Sequence, residues 1–268
     1  MKLLFIGDIV GKIGRLAVAA ILPDLLSEHK PDLVIANVEN LAHGKGITAK
    51  TLTEILDAGV DVCTSGNHIL NKPEGRELLA AVGTKVIRPA NFPTQSPGQG
   101  ELLVQIARER LLIVNLVGQV FMKEGATYTN PFTGLDAILD AHKDQDLAGI
   151  FVDFHAEVTS EKVAMGWYAD GRVSAVVGTH THVPTADQRI LPDGTAYITD
   201  VGMTGARDSV IGMEREPIVA RFASGETGTG PAGIPESGAV VLNAVLVELD
   251  PASRKALRIE RLDRIFSV

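Results

Sequence analysis

The chain has a single cysteine, Cys63, in 268 residues, so no internal disulfide can form and a reducing cytoplasm is the simplest compartment. With no Cys-x-x-Cys pair, a thiolate zinc site is excluded. Aromatic residues make up only 4%, which leaves Leu, Ile, Val and Ala to build the core. No apolar run approaches the roughly 18 residues that a membrane span needs. Residues 1–6 resemble the start of a secretory leader, but Asp8 ends the run too early, and the segment reads as a first strand. The net charge of −8 argues against a broad basic surface for duplex nucleic acid. A nucleophile elbow of the G-x-S-x-G type and a Walker loop are both missing.

What remains is ordinary globular composition, 45% hydrophobic and 22% charged, with an unusual concentration of polar residues just past apolar runs. Gly178-Thr179-His180-Thr181-His182 follows Val173–Val177, which reads as a buried strand ended by glycine. In an extended segment, residues i and i+2 point the same way, about 6.5 Å apart at about 3.3 Å per residue. Two imidazoles so placed can serve two neighbouring metal ions, which two-metal hydrolytic sites hold about 3.5–4 Å apart, or simply cap a loop. Four other runs deliver similar residues: residues 3–6 into Gly7-Asp8, 33–36 into Asn37-Val38-Glu39-Asn40, 60–63 into Gly66-Asn67-His68, and 150–154 into His155-Ala156-Glu157. In open α/β sheets that edge is where ligands bind.

The first 90 residues alternate strand and helix. Residues 16–27 have helical apolar spacing, with Pro23 expected to kink or restart the helix. Thr48 can cap a helix running towards Asp57, and Pro73 opens another. After a Pro- and Gly-rich loop at 91–100, residues 102–106 and 111–117 suggest a hairpin, and Asn130-Pro131 starts a helix through His142. A strand at 149–154, a helix near 161–169 and a second hairpin at 188–198, with Asp193-Gly194 at its turn, follow. Residues 225–238 read as a loop. Residues 239–249 and 256–262 read as closing strands. The natural assembly is an α/β fold with two mixed sheets and helices outside, forming one domain over residues 1–268.

Each motif admits a plain structural reading beside a chemical one. Gly7-Asp8-Ile9-Val10-Gly11-Lys12-Ile13-Gly14 follows a strand and precedes a helix, but its spacing departs from G-x-G-x-x-G and Asp8 would repel a pyrophosphate. The glycines are read as permitting a tight turn that presents Asp8 to a metal. Glu39-Asn40 could cap a helix, or act as a bridging carboxylate with a neutral oxygen ligand. Asn67 and His68 could form a turn, or act as a ligand and a proton donor. His155 could be a satisfied core histidine or a ligand, with Glu157 orienting it or starting a helix. His29 and His142 read as surface residues, and His43 as a residue of the Gly-containing loop after Glu39, with approach to substrate as the alternative. These O and N donors suit iron, manganese or zinc, and a metal cluster would let an acidic protein bind nucleotides.

The order Gly-Asp, Glu-Asn, Gly-Asn-His, His, Gly-x-His-x-His resembles the calcineurin-like metallophosphoesterases. It departs from their common form at Val10, at Val38-Glu39-Asn40 and at Ile69. These departures are similar to a narrower branch, the YmdB-like phosphodiesterases, as are Asp153-Phe154-His155-Ala156-Glu157, the run from Gly178 to Pro184 and Thr199-Asp200-Val201-Gly202-Met203-Thr204-Gly205. The resemblance runs from residue 1 to about residue 220. It implies a four-layer αββα sandwich and a dinuclear centre, with iron first and manganese or zinc as alternatives. It also implies hydrolysis of 2′,3′-cyclic nucleotides such as 2′,3′-cAMP. Carried over, Asp8, Glu39, Asn40 and His182 would hold one ion, and Glu39, Asn67, His155 and His180 the other, with His68 as general acid. A cytoplasmic homo-oligomer is expected, with nucleotide substrates, RNA or RNA-processing partners and no membrane association. Lys45 and Arg207, in loops near the motifs, are candidates to touch phosphate. The rival readings are a broader phosphatase acting on monoesters or RNA ends, and a metal-bound nucleotide sensor without catalysis.

Overall fold

The computed structural model describes residues 1–123, 125–228, 230 and 232–267. In chain order its elements are β1 (Lys2–Ile6), β2 (Asp8–Ile9), α1 (Gly11–His29), β3 (Leu33–Asn37), α2 (Ala49–Asp57), β4 (Val62–Thr64), α3 (Pro73–Ala80), β5 (Glu101–Ile106), β6 (Glu109–Val117), α4 (Pro131–Ala141), β7 (Gly149–His155), α5 (Thr159–Ala169), β8 (Ala175–Thr179), β9 (Arg189–Ile190), β10 (Ala196–Ile198), β11 (Met203–Ala206), α6 (Arg215–Ala223), β12 (Ala239–Leu242), β13 (Ala244–Leu249), β14 (Ala256–Arg261) and β15 (Arg264–Ser267). One sheet has the order β14-β13-β1-β3-β4, with β1, β3 and β4 parallel. A second has the order β5-β6-β7-β8-β10-β9, with β6, β7, β8 and β10 parallel. A short third sheet, β15-β12-β11-β2, is continuous in chain with the first across Gly7 and Asn243.

The layers follow from the two-residue period of the strands. Leu3 and Phe5 point from β1 into the space between the two large sheets, where they meet Ile113 of β6, Phe151 of β7 and Val177 of β8. Leu4 and Ile6 point the other way, onto Val18 and Leu22 of α1 and Ile55 of α2. On the far side, Val114, Val152 and Val176 pack against Leu135 of α4 and Met165 of α5. Three apolar cores thus lie between four layers, the αββα sandwich expected. Because both faces of the central strands are covered, their sequences read as continuous apolar runs.

Several expectations hold in detail. Thr48 and Thr51 form a reciprocal capping box at α2, and Asn130 Oδ1 accepts from the backbone N–H of Phe132 and Thr133 at the start of α4. Others are corrected. α1 begins at Gly11 and runs through Pro23 without restarting, since Ile21, Leu22 and Leu25 stay buried on the sheet and outweigh one lost hydrogen bond. The expected strand 239–249 is broken at Asn243, whose N–H donates to Met203 O while its C=O accepts from Gly7 N. The loop reading of 225–238 agrees with its described residues, and Thr229 and Pro231 lie outside them. Among the described residues no helix is long and apolar enough to cross a membrane.

Gly178 does not end its strand. It lies inside β8, where a Cβ would stand 1.7 Å from Thr199 O. The backbone of the segment after β10 crosses there and only glycine admits it. Gly178→Ala should therefore lower the unfolding free energy by at least about 2 kcal/mol, as overpacking against a rigid backbone does, read as a fall in the denaturant midpoint. An unchanged midpoint would show that this crossing can move.

Candidate metal centre

The carboxyl ends of the parallel strands bring the polar residues together. In one sheet Asn37 pairs with Thr64 at the ends of β3 and β4, and in the other His155 pairs with Thr179 at the ends of β7 and β8. Asp153, one turn of the pleat before His155, joins the two sheets. Its Oδ2 accepts from Asn37 Nδ2 at 2.9 Å and Thr64 Oγ1 at 2.5 Å, and its Oδ1 from Thr179 Oγ1 at 2.7 Å.

Around His155 the geometry is that of a ligand cluster. Its Nε2 lies 3.2 Å from Glu39 Oε1, 3.2 Å from Asn67 Oδ1 and 3.0 Å from His180 Nδ1. One ring nitrogen carries at most one proton, which cannot satisfy three acceptors at once. A cation among them would engage all three, and Glu39, His155 and His180 present donor atoms within 4.8 Å of one another. Towards the other side, Asn40 Nδ2 is 3.2 Å from Glu39 Oε1 and 3.1 Å from His182 Nε2. Glu39 therefore touches both halves of the set. Asp8 is fully buried. Its Oδ2 accepts from His180 N at 3.1 Å, while its Oδ1 accepts no hydrogen bond among the described residues. Gly66 backs the cluster, and a Cβ on it would lie 2.2 Å from His155 Nε2 and 2.3 Å from Glu39 Oε2. An orphaned carboxylate oxygen, a glycine cradle and an all-O/N donor set fit a divalent ion.

The imidazole tautomers are fixed from outside the cluster. Thr179 Oγ1 spends its proton on Asp153 and so accepts from His155 Nδ1 at 2.9 Å, which leaves Nε2 as the inward atom. His182 Nδ1 donates to Ile211 O at 2.8 Å, and His180 Nε2 to Glu157 Oε2 at 3.0 Å. Glu157 thus orients His180 rather than His155, correcting the expectation. The extended geometry expected for His180 and His182 also fails. β8 stops at Thr179, and the two histidines have φ of +99° and +66°, a costly conformation for non-glycine residues. A brace under this turn holds it. Lys162, buried in α5, donates to Thr179 O at 2.6 Å and to Asp200 Oδ2 at 2.5 Å, and Asp200 Oδ2 also accepts from Thr181 N and Oγ1. Lys162 carried no signal in sequence, since a lysine in a helix normally reads as surface, and Thr179 was visible only as a spacer between histidines.

The buried charges perturb one another. Burial pulls the His155 ring down, but Glu39, Asp8 and Asp153 outweigh it and hold it protonated up to about 9. Burial works against the Glu39 carboxylate too, yet His155 keeps its affinity for protons well below the usual range. Burial raises Asp8, and it raises Asp153 to about 6. Burial and the His155 charge push His180 down to about 2, so that ring is neutral.

An open cleft of about 490 Å³ gives access, lined by Glu39, Asn40, His68, His180, His182 and Lys45 among others. Lys45 is thus brought to the site, whereas Arg207 and His43 are not among its lining residues. His68 donates its backbone N–H to Glu39 Oε2 at 2.9 Å. Its Nδ1 lies 3.2 Å from Asn71 Nδ2.

Comparison with known proteins shows the family of the chain. Residues 4–262 match the family described as YmdB-like protein. The chain belongs to that family. It is 45% identical over 262 residues to a Bacillus subtilis protein named 2′,3′-cyclic-nucleotide 2′-phosphodiesterase, covering 98% of this chain and 96% of that one. The crystal structure of a novel phosphatase from Mycoplasma pneumoniae superimposes with a TM-score of 0.90 at 37% identity, over 100% of this chain and 94% of that one. The crystal structure of a hypothetical protein from Thermus thermophilus superimposes with a TM-score of 0.88 at 39% identity, over 99% of each chain.

Two outcomes are expected for the YmdB-like cluster. Gly66→Ala should cut the metal retained after purification at least tenfold without unfolding the chain, by elemental analysis beside a melting curve; undiminished metal would place the ion elsewhere. A cation must also displace the proton that the carboxylates hold on His155 Nε2. Affinity for Mn²⁺ should then rise about tenfold per pH unit up to about pH 9 and flatten above it. Calorimetric titration in two buffers of different ionisation enthalpy should count about one proton released from His155 near pH 7.5. No release would mean that His155 stays out of the coordination shell.

Proposed function

We propose that this protein is a dinuclear metal-dependent phosphodiesterase that hydrolyses 2′,3′-cyclic nucleotides, with residues 1–268 as one catalytic domain. The observation that carries the reading is the crowding of Glu39, Asn67 and His180 around His155 Nε2, in a chain so close to a relative named for that activity. Glu39, Asn67, His155 and His180 would hold one ion, and Asp8, Glu39, Asn40 and His182 the other. Two divalent ions bound there would attract the phosphate and supply an activated water. Against the two negative charges of Asp8 and Glu39 they would leave the donor shell about +2, enough to favour an anionic diester.

The chain's own residues supply the rest. His68 stands in the same cleft, where its imidazolium form would protonate the ribose 2′ oxygen as the bond from phosphorus breaks. Water's oxygen joins phosphorus, the 2′ hydroxyl is released, and a 3′-phosphate remains. Lys45, on the cleft wall, suits a non-bridging phosphate oxygen. The family resemblance points to iron first, and the O and N donors suit manganese or zinc as well.

Purified protein should carry about two metal ions per chain and hydrolyse 2′,3′-cAMP faster than 4-nitrophenyl phosphate, a monoester. His68→Ala should keep the metal and lose about 10²–10⁴-fold in kcat. Loss of metal in that variant would make His68 a ligand. Faster hydrolysis of the monoester would favour the broader phosphatase. Full metal content with no turnover of either compound would favour a sensor.

A further inference from the structure

Behind the turn that carries Asn67 and His68 lies a second cavity, of about 340 Å³. It shares a wall with the metal centre. Asn67, whose Oδ1 faces His155 Nε2, lines it, and so does Asn71, whose amide meets the His68 ring. A group bound in it would be one side chain away from both the ligand cluster and the general acid.

Its remaining walls are chemically unlike the cleft. No Phe, Tyr or Trp is among the described residues lining the cleft, which suits a phosphate. The second cavity has Phe92 and Tyr128, their rings stacked with centroids 5.0 Å apart and planes within 9°. This wall is built rather than incidental. The adjacent Asn91 is buried and ties its own loop to the end of β6 and to the segment before α4: its Nδ2 donates to Val117 O and Thr129 O, and its Oδ1 accepts from Val117 N. At the exposed rim stand Gln95, which can donate and accept, and Arg76, which only donates. Among the described residues, no carboxylate lines the cavity. Phe92 and Tyr128 are 5% and 7% exposed, so what they give the cavity is a small, rigid apolar edge, which with the donors and acceptors around it fits the rim of a flat heteroaromatic ring.

We propose that this cavity is the nucleobase subsite, which takes the purine or pyrimidine of a substrate whose cyclic phosphate lies at the metal centre. The proposal rests on the phosphodiesterase reading and adds to it the origin of selectivity for nucleotides over other cyclic diesters. It assigns a function to Phe92, Gln95 and Tyr128, which no motif singled out.

The test compares kcat/KM for 2′,3′-cAMP with that for glycerol 1,2-cyclic phosphate, which has the same five-membered diester and no base. The wild type should prefer the nucleotide at least tenfold. Arg76→Ala and Gln95→Ala, both at exposed positions, should each lower that ratio at least fivefold, mainly through KM for the nucleotide. An unchanged ratio in both variants would overturn the subsite while leaving the phosphodiesterase intact. Hydrolysis of neither diester by metal-loaded wild type would overturn the activity instead. In that case saturation-transfer NMR with adenosine, which has no phosphate, still decides the cavity. Transfer to the base protons that is lost in both variants supports it, and no transfer in the wild type sinks it.

Discussion

Everything at this site depends on three carboxylates held away from water. Asp8, Glu39 and Asp153 are each 1% exposed or less, and a buried carboxylate is costly unless charge or hydrogen bonds compensate it. The chain compensates them unequally. Asp153 receives three side-chain donors and serves as a structural tie between the sheets. Glu39 receives two N–H groups and His155, and Asp8 retains an oxygen with no donor among the described residues. His155 is the imidazole in contact with this whole field, and without a metal it answers by holding a proton. The buried Lys162 could have neutralised the region, but Asp200 already engages it, so the negative potential stays directed at the cluster.

The layered fold makes that field possible. Parallel strands end side by side, so residues one step beyond them in sequence fall on one edge in space. Stacking two such sheets face to face sets the β3 and β4 ends against those of β7 and β8. Asn37 and Thr64 can then reach Asp153 across the interface between sheets. The approach is close enough that backbone must pass where side chains normally stand, which accounts for Gly66 behind the donors and Gly178 under Thr199. Here glycine supplies space; neither residue has the positive φ that would make conformational freedom its reason.

Much of this was legible because the signals are local. Apolar runs ending in Asp, Glu, Asn or His mark strand ends, and caps such as Thr48 and Asn130 mark helix starts, so the strand-end residues could be read directly, while the four-layer order and the grouping of candidate ligands came from the family resemblance. What could not be read depends on long-range contact. The break at Asn243 comes from a hydrogen-bond pattern involving Gly7, near the other end of the chain, and Met203. β15 and β11 are too short for a periodic signal. Glu157 was assigned to the wrong histidine because its spacing from His155 suggested a shared face, while the turn at positive φ swings His180 towards it instead. Position along the chain gave the residues. Only the folded backbone gave the partners.

The three inward nitrogens make the case for a cation by a different route from ligand counting. A threonine hydroxyl fixes His155, a carboxylate fixes His180 and a backbone carbonyl fixes His182, three unrelated acceptors on three separate stretches of chain. Folding stability requires only that each ring be satisfied, and either nitrogen would serve. Yet each outside partner takes one nitrogen and leaves the other facing Glu39, Asn40, Asn67 or a neighbouring ring. The His180 and His182 backbones accept a strained conformation to reach these positions, braced by Lys162 and Asp200. Strain, orphaned oxygen and oriented lone pairs in one buried volume have a common account if that volume exists to hold positive charge.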